Sequence, residues 1–210
     1  MIELLNCDCM DYMATLPDKA FDLAIVDPPY GINFAKTNTG KGWVVREAKD
    51  WDKQSPNESY FKQLWRVSKN QIIWGANYMT PFIPPSQHWI FWDKGQRNFS
   101  LADGELAFTS FDKALRVFIM SRGAMQAEQG AEKKFHPTQK PVKLYDWLLH
   151  NYAKPGQRIL DTHLGSGSSA IAAHYYGVDF VGCELDEDYF NAAKNRFELA
   201  TAQTSLLDYV

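Results

Sequence analysis

From Phe21 to Val26 the chain reads Phe-Asp-Leu-Ala-Ile-Val, an apolar run broken by one charge, and Pro28 and Pro29 follow directly after Asp27. Such a run predicts a buried strand, and the prolines, which lack a backbone donor, stop it. Ser55-Pro56-Asn57-Glu58 combines a capping box with proline at the first helical position, so a helix is expected there, with Phe61, Leu64 and Trp65 on its apolar face. Strand patterns follow at 71–75 and 89–92, and 106–108 with 115–120 reads as an antiparallel pair around Phe111-Asp112-Lys113. From Pro141 the pattern alternates regularly. A helix carries Leu144, Trp147 and Leu148 on one face and ends at Lys154-Pro155-Gly156. A strand at Arg158–Asp161, a helix from about Ser168 to Gly177, a strand at Phe180–Glu184 and a helix from about Asp188 to Leu199 complete it. The alternation predicts an α/β fold: a mostly parallel sheet covered by helices on both faces, with ligands bound beyond the carboxyl ends of its strands.

At 210 residues, 45% of them hydrophobic, the chain suits one domain with one sizeable core, and no repeat or linker divides residues 1–210. Its apolar runs are too short to span a bilayer, so no membrane partner is expected. Met1-Ile2-Glu3 lacks the basic and apolar segments of a secretion signal, and Cys7, Cys9 and Cys183 form no Cys-x-x-Cys pair, so a reduced, cytoplasmic setting is expected. A net charge of −3 does not announce a nucleic-acid binder, yet phosphate contacts depend on local patches rather than on the sum. Residues 36–54, polar and aperiodic, read as a long loop.

Two segments carry candidate chemistry. Asp161-Thr162-His163-Leu164-Gly165-Ser166-Gly167-Ser168-Ser169-Ala170 joins a strand to a helix, where glycines let a ligand approach the backbone and the helix start offers free amides. Glu184, at the tip of the next strand, stands where an acid would accept ribose hydroxyls. Gly165 to Ala170 also fits the dinucleotide pattern Gly-x-Gly-x-x-Ala, but Asp161 would repel a pyrophosphate and attract the ammonium and sulfonium of S-adenosylmethionine. A plain glycine turn with a capping serine is the bland alternative. A Walker loop is excluded, since no Gly-Lys-Ser/Thr occurs here.

The second segment is Asp27-Pro28-Pro29-Tyr30 at the end of the buried strand. A base's exocyclic amine is a poor nucleophile because its lone pair is delocalised. A carboxylate accepting one N–H and a fixed carbonyl accepting the other would draw that pair out of conjugation. Asp27 and the Pro28 carbonyl can supply these acceptors, held by Pro28 and Pro29, while Tyr30 can stack on a base swung out of the duplex. Positioning and electrostatics then suffice for direct displacement on the sulfonium methyl. The competing reading is a strand-terminating turn, which Asp-Pro-Pro commonly makes. Methylation of a ring carbon would call for a cysteine after a proline, and no cysteine here follows one.

Asp27-Pro28-Pro29-Tyr30, His136-Pro137-Thr138-Gln139-Lys140-Pro141 and Leu164-Gly165-Ser166-Gly167-Ser168, in that order, resemble the beta group of amino-methylating DNA methyltransferases, in which the catalytic motif precedes the cofactor motif. The resemblance runs from about Glu3 to Phe197. It implies a Rossmann-like methyltransferase fold, S-adenosylmethionine as donor and DNA as partner; no metal is expected. It further implies that Asp27, Pro28, Pro29 and Tyr30 are catalytic, that Asp161, Gly165, Gly167 and Ser168 form the cofactor loop, and that Glu184 is the ribose acid. Thr138, Gln139 and Lys140 match the segment near the donor's methionine end, and Asp8, within Asn6-Cys7-Asp8-Cys9, matches an acid near its adenine. One departure is Asp161-Thr162-His163, where the family usually reads Asp-Pro-Phe; His163 is expected to pack rather than catalyse.

Aspartate at the first motif position leans, by resemblance, toward adenine; the alternative substrate is the cytosine N4 amine. A catalytically silent DNA-binding module of the same fold is the rival from another class. His88, His150 and His174 fit no metal spacing. In the loop, Lys36, Lys41, Arg46, Lys49 and Lys53 outnumber Glu47, Asp50 and Asp52, and Trp43 is a candidate to insert into DNA; Lys133, Lys134, Lys140 and Lys143 are candidate phosphate contacts. The catalytic half is expected at about 1–120 and the cofactor half at about 136–200. Residues 121–135 are too few for a substantial target-recognition domain, so specificity is short or loose, or depends on a homodimer or another partner.

Overall fold

A computed structural model describes residues 1–32, 52–98, 102–129, 136 and 138–202. The chain runs β1 (Ile2–Asn6), α1 (Cys9–Ala14), β2 (Phe21–Val26), α2 (Glu58–Val67), β3 (Ser68–Trp74) and two short 3-10 turns, then β4 (Trp89–Asp93), β5 (Gly104–Thr109) and β6 (Arg116–Ile119). It continues through α3 (Arg122–Gln129), α4 (Val142–Tyr152), β7 (Arg158–Asp161), α5 (Ser168–Tyr176), β8 (Asp179–Glu184) and α6 (Glu187–Ala202). The strands form one sheet in the order β1-β8-β7-β2-β3-β5-β4-β6. Neighbours pair in parallel except at β5, which runs antiparallel to both β3 and β4. This is the expected α/β architecture. No helix among the described residues is long and apolar enough to cross a membrane.

The apolar run at β2 has a direct structural cause. Side chains alternate across a strand, and here both faces are covered. Leu23 and Ile25 join Ile72, Trp74, Leu144 and Leu148 in one core, whereas Ala24 and Val26 join Tyr60, Phe61, Leu64 and Val67 in the other.

Two local expectations need correction, and one helix is additional to them. The cap of α2 is Asn57, whose side chain accepts from the Tyr60 N–H, so Ser55 and Pro56 lie before the helix rather than at its first positions. Asparagine in an extended conformation caps as well as serine, and it stands one residue before the acidic first turn. The segments at β5 and β6 do not form a hairpin: β4 lies between them, antiparallel to β5 and parallel to β6. The Phe111-Asp112-Lys113 turn still reverses the chain, but it passes the start of β4, so β6 returns one strand further out. Residues 122–129, to which the sequence pattern assigns no element, form α3.

Because β5 runs against its neighbours, its first residues lie at the carboxyl edge of β3 and β4, with Glu105 opposite Trp92 and Gly104 opposite Asp93. Asp27, Gly75, Lys94, Glu105, Asp161 and Glu184 thus share one edge of the sheet.

Candidate active site

At the tip of β2, Asp27 is the centre of a compact charge cluster. The Tyr30 hydroxyl donates to Asp27 Oδ1 at 2.8 Å, and Lys140 Nζ forms an ion pair with Asp27 Oδ2. The same ammonium lies 3.2 Å from Glu105 Oε2 and 3.3 Å from the Tyr30 hydroxyl. Lys94 pairs with the other oxygen, Glu105 Oε1. Two carboxylates and two ammoniums therefore alternate as Asp27–Lys140–Glu105–Lys94. The Lys140 side chain is only 4% exposed, so water screens these charges weakly.

Electrostatics separate the two acids. Burial pushes Asp27 above the usual carboxylate range, opposed by Lys140 and reinforced by the Glu105 charge. Burial also opposes ionisation of Glu105, but Lys140 and Lys94 together hold it down at about 2. Desolvation would lower Lys140, yet Asp27 and Glu105 raise it above the ordinary lysine value. Glu105 is firmly anionic, while Asp27 is the acid closer to taking a proton.

Tyr30 stacks on Tyr78 with centroids 5.1 Å apart and planes at 14°. It also lies against Gly75, whose φ is +66°; a Cβ there would sit 2.0 Å from Tyr30 Cε1. Gly75→Ala is therefore expected to displace the Tyr30 ring and to strain the backbone by about 1–2 kcal/mol. A lowered melting temperature together with slowed methyl transfer would show both effects. Asp27, Pro28, Tyr30, Tyr78, Trp92 and Lys94 are among the residues lining a cleft of about 560 Å³. Arg122 and Met125 of α3 line it as well, and Thr138, Gln139 and Lys140 close the side toward the glycine loop.

That loop starts at Asp161, 1% exposed at the tip of β7. Ser169 Oγ donates to Asp161 Oδ2 at 2.6 Å, and the His163 amide donates to Oδ1 at 3.0 Å. Burial, against these two bonds, raises Asp161 to about 7. Gly165 and Gly167 adopt positive φ, and a Cβ on Gly165 would reach His136 at 3.4 Å. Glu184 accepts from the Gly165 amide at 2.8 Å and the Asp186 amide at 3.0 Å, tying the two loops together. Ser168 Oγ donates to the Lys140 carbonyl at 2.7 Å, so one residue touches both halves: backbone on the glycine loop, ammonium on Asp27. Gln139 Oε1 is buried with no hydrogen-bond partner among the described residues, and Thr138 Oγ1 bonds His136 Nδ1 at 3.2 Å.

Two of the residues singled out from sequence have structural duties. Asp8 caps α1, accepting from the Met10 amide at 2.8 Å. His163 is wedged against Tyr60, ring centroids 5.5 Å apart, and burial lowers it to about 4, so it is a neutral aromatic plane at physiological pH. His88 is buried between the Phe111 carbonyl and the Tyr152 hydroxyl. Burial raises all three cysteines, Cys9 to about 12, which leaves no ready thiolate. Lys36, Lys41, Trp43, Arg46, Glu47, Lys49 and Asp50 of the long loop, with Lys133, Lys134 and Pro137, lie outside the described residues. Glu105, Lys94, Tyr78 and Gly75 belong to no motif that sequence alone singled out. For Lys94 and Glu105 the signal is a pair of opposite charges flanking the connection between two consecutive strands, which meet only once β5 is known to run antiparallel to β4.

Comparisons with known proteins bear on the family and the fold. The N6/N4 methyltransferase family model, described as DNA methylase, matches residues 45–195, a span that begins after Asp27–Tyr30. YubD of Escherichia coli strain K12, provisionally named a methylase, is 28% identical over 98% of this chain and 93% of its own length. The Type II methyltransferase M2.DpnII of Streptococcus pneumoniae is 25% identical over 93% of this chain and 89% of its own. In fold, the M1.HpyAVI–SAM complex superposes with a TM-score of 0.61 at 20% identity, covering 93% of this chain and 98% of that one. The cytosine-N4-specific PvuII DNA methyltransferase gives a TM-score of 0.60 at 12% identity, over 96% and 90% of the two chains.

Proposed function

The chain belongs to the DNA methylase family of N6 and N4 amino-methyltransferases, and from that membership we propose that it moves a methyl group from S-adenosylmethionine to the N6 amine of adenine in DNA. The observation that carries this reading is the Asp27 carboxylate, set at a strand tip in a cleft that borders the glycine loop through Thr138, Gln139 and Lys140. The preference for adenine over cytosine N4 rests on aspartate, rather than serine, at position 27, which is an argument from resemblance.

The donor site fits its ligand on two counts. Asp161 offers a buried negative charge at the strand tip, and Gln139 Oε1 is a buried acceptor still lacking a donor, which an ammonium would satisfy. Asp161, Gly165, Gly167 and Ser168 would hold the methionine end with Thr138, Gln139 and Lys140, while Glu184, and Asp8 beyond its cap, would face the nucleoside. S-adenosylmethionine supplies an activated methyl on a sulfonium. Asp27 accepts one N–H of the target amine and the Pro28 carbonyl the other, restoring the lone pair, while Tyr30 holds the flipped base flat. Asp27, raised by burial, would also take the proton the amine must shed after transfer. Specificity for the surrounding DNA is short or loose, or depends on a homodimer or another partner, since the described part of 121–135 amounts to one eight-residue helix.

Labelled S-adenosylmethionine, unmethylated DNA and the purified protein, followed by digestion to nucleosides, should place the label on N6-methyladenine. Label on N4-methylcytosine would replace the adenine assignment, and unlabelled nucleosides would sink the enzymatic reading. Donor binding should also depend on pH. An incoming cation favours ionised Asp161, whose acidity lies near 7 when the site holds no cation, so binding releases a proton and tightens as pH rises from about 6 to about 8. In Asp161→Asn that dependence should be lost relative to wild type. Calorimetry in buffers of different ionisation enthalpy measures the released proton directly.

A further inference from the structure

We propose that Glu105 is a positioning residue that takes the Lys140 ammonium from Asp27 when the target amine enters, freeing Asp27 to accept the amine's N–H. The inference rests on the methyltransferase reading above and adds a working part to it. Both oxygens of Asp27 already hold partners: Oδ1 accepts from Tyr30 and Oδ2 from Lys140. A neutral amine cannot dislodge a buried ammonium from a carboxylate unless that charge has somewhere else to go, because an unpaired buried charge is strongly disfavoured. Glu105 Oε2 stands 3.2 Å from the same Nζ, so a move of a fraction of an ångström completes the transfer of partners. Lys94 fixes the opposite oxygen of Glu105 and keeps the acceptor in place. The reversed strand β5 is what brings this acid to the catalytic edge. No bond is made or broken in the step; one hydrogen bond is exchanged for another.

The groups facing Asp27 are Tyr30 from its own loop, Glu105 from β5, Lys140 ahead of α4, Tyr145 on α4 and Asp161 on β7. Lys94 faces Glu105 from the end of β4. Replacing Glu105 by glutamine removes a negative neighbour of Asp27 and leaves Lys140 wholly on it, so Asp27 becomes more acidic. Replacing Lys94 by methionine removes a positive charge and makes Asp27 less acidic.

The test measures kcat, KM for unmethylated genomic DNA and the pH profile of kcat/KM in Glu105→Gln and Lys94→Met, with labelled donor. In Glu105→Gln, kcat should fall by about tenfold or more with KM for DNA within about threefold, as expected for an interaction needed at the transition state. The acid limb should move to lower pH in Glu105→Gln and to higher pH in Lys94→Met, by roughly half a unit or more. Donor affinity and melting temperature identify a variant that has not folded. Lys94, partly exposed, carries the test alone if Glu105→Gln does not fold. Wild-type kcat in Glu105→Gln, or acid limbs that stay put or move the same way, overturns the proposal. A wild-type protein that labels no DNA base overturns the parent reading instead.

Discussion

Asp27→Ala is expected to lower the rate of methyl transfer by on the order of 10²–10³-fold, the loss seen when one preorganised polar partner of a reacting group is removed. The variant takes away the acceptor proposed to draw the amine's lone pair out of conjugation, and nothing nearby replaces it. Glu105 is held by two ammoniums and lies on the far side of Lys140. Donor affinity should stay within about twofold, because the glycine loop is built from Asp161, Gly165, Gly167 and Glu184, whose bonds do not involve Asp27. The fold should also survive, since Lys140 keeps Glu105 as a counter-ion. Single-turnover transfer from labelled donor, with equilibrium donor binding alongside, separates the two quantities. Turnover within a few-fold of wild type would refute the catalytic assignment.

Lys140→Met should be the most destabilising single change at the site, by about 3–5 kcal/mol near neutral pH, the usual result of stranding buried charges. Lys140 serves two acids at once, so its loss leaves Asp27 and Glu105 facing each other with only Lys94 to compensate. The pH dependence follows from the direction of the shifts. Asp27 already lies above the ordinary carboxylate value, and without Lys140 it rises further, taking Glu105 with it. A group whose folded pKa exceeds its unfolded one stabilises the protein below the unfolded value, and that contribution is lost as pH rises through the folded value. The deficit in melting temperature should therefore widen as pH rises above the ordinary carboxylate range and shrink on mild acidification. Adding Glu105→Gln to Lys140→Met should recover part of the loss, because one of the two stranded charges is gone. A pH-independent deficit of the same size in both variants would assign the effect to packing against Trp74 and Tyr30, over which the ammonium lies.

Much of the parallel half could be read locally. The run from Phe21 to Val26 announced a strand covered on both faces, and the two cores that share its alternate residues show why no polar alternation marks it. The glycine loop, its helix from Ser168 to the left-handed Gly177, and the next strand to Glu184 were equally plain, because their signals lie within a few residues of each other. The α2 cap was misplaced by two positions, since Ser55, Asn57 and Glu58 all suit a helix start and only backbone geometry chooses among them.

The sequence by itself determined the α/β class, the position of Asp27 at a strand tip and the acid-led glycine loop, because periodicity, prolines and glycines act through neighbouring residues. Only the tertiary structure decided the strand order around β5, which reverses that strand and sets β4 between it and β6. Pairing of strands depends on which faces bury against each other, and no local pattern records it. With that reversal came Glu105 and Lys94 at the edge beside Asp27. It also gave Lys140 its double part, with its backbone on the glycine loop and its charge between two acids, a role set by the meeting of segments more than a hundred residues apart.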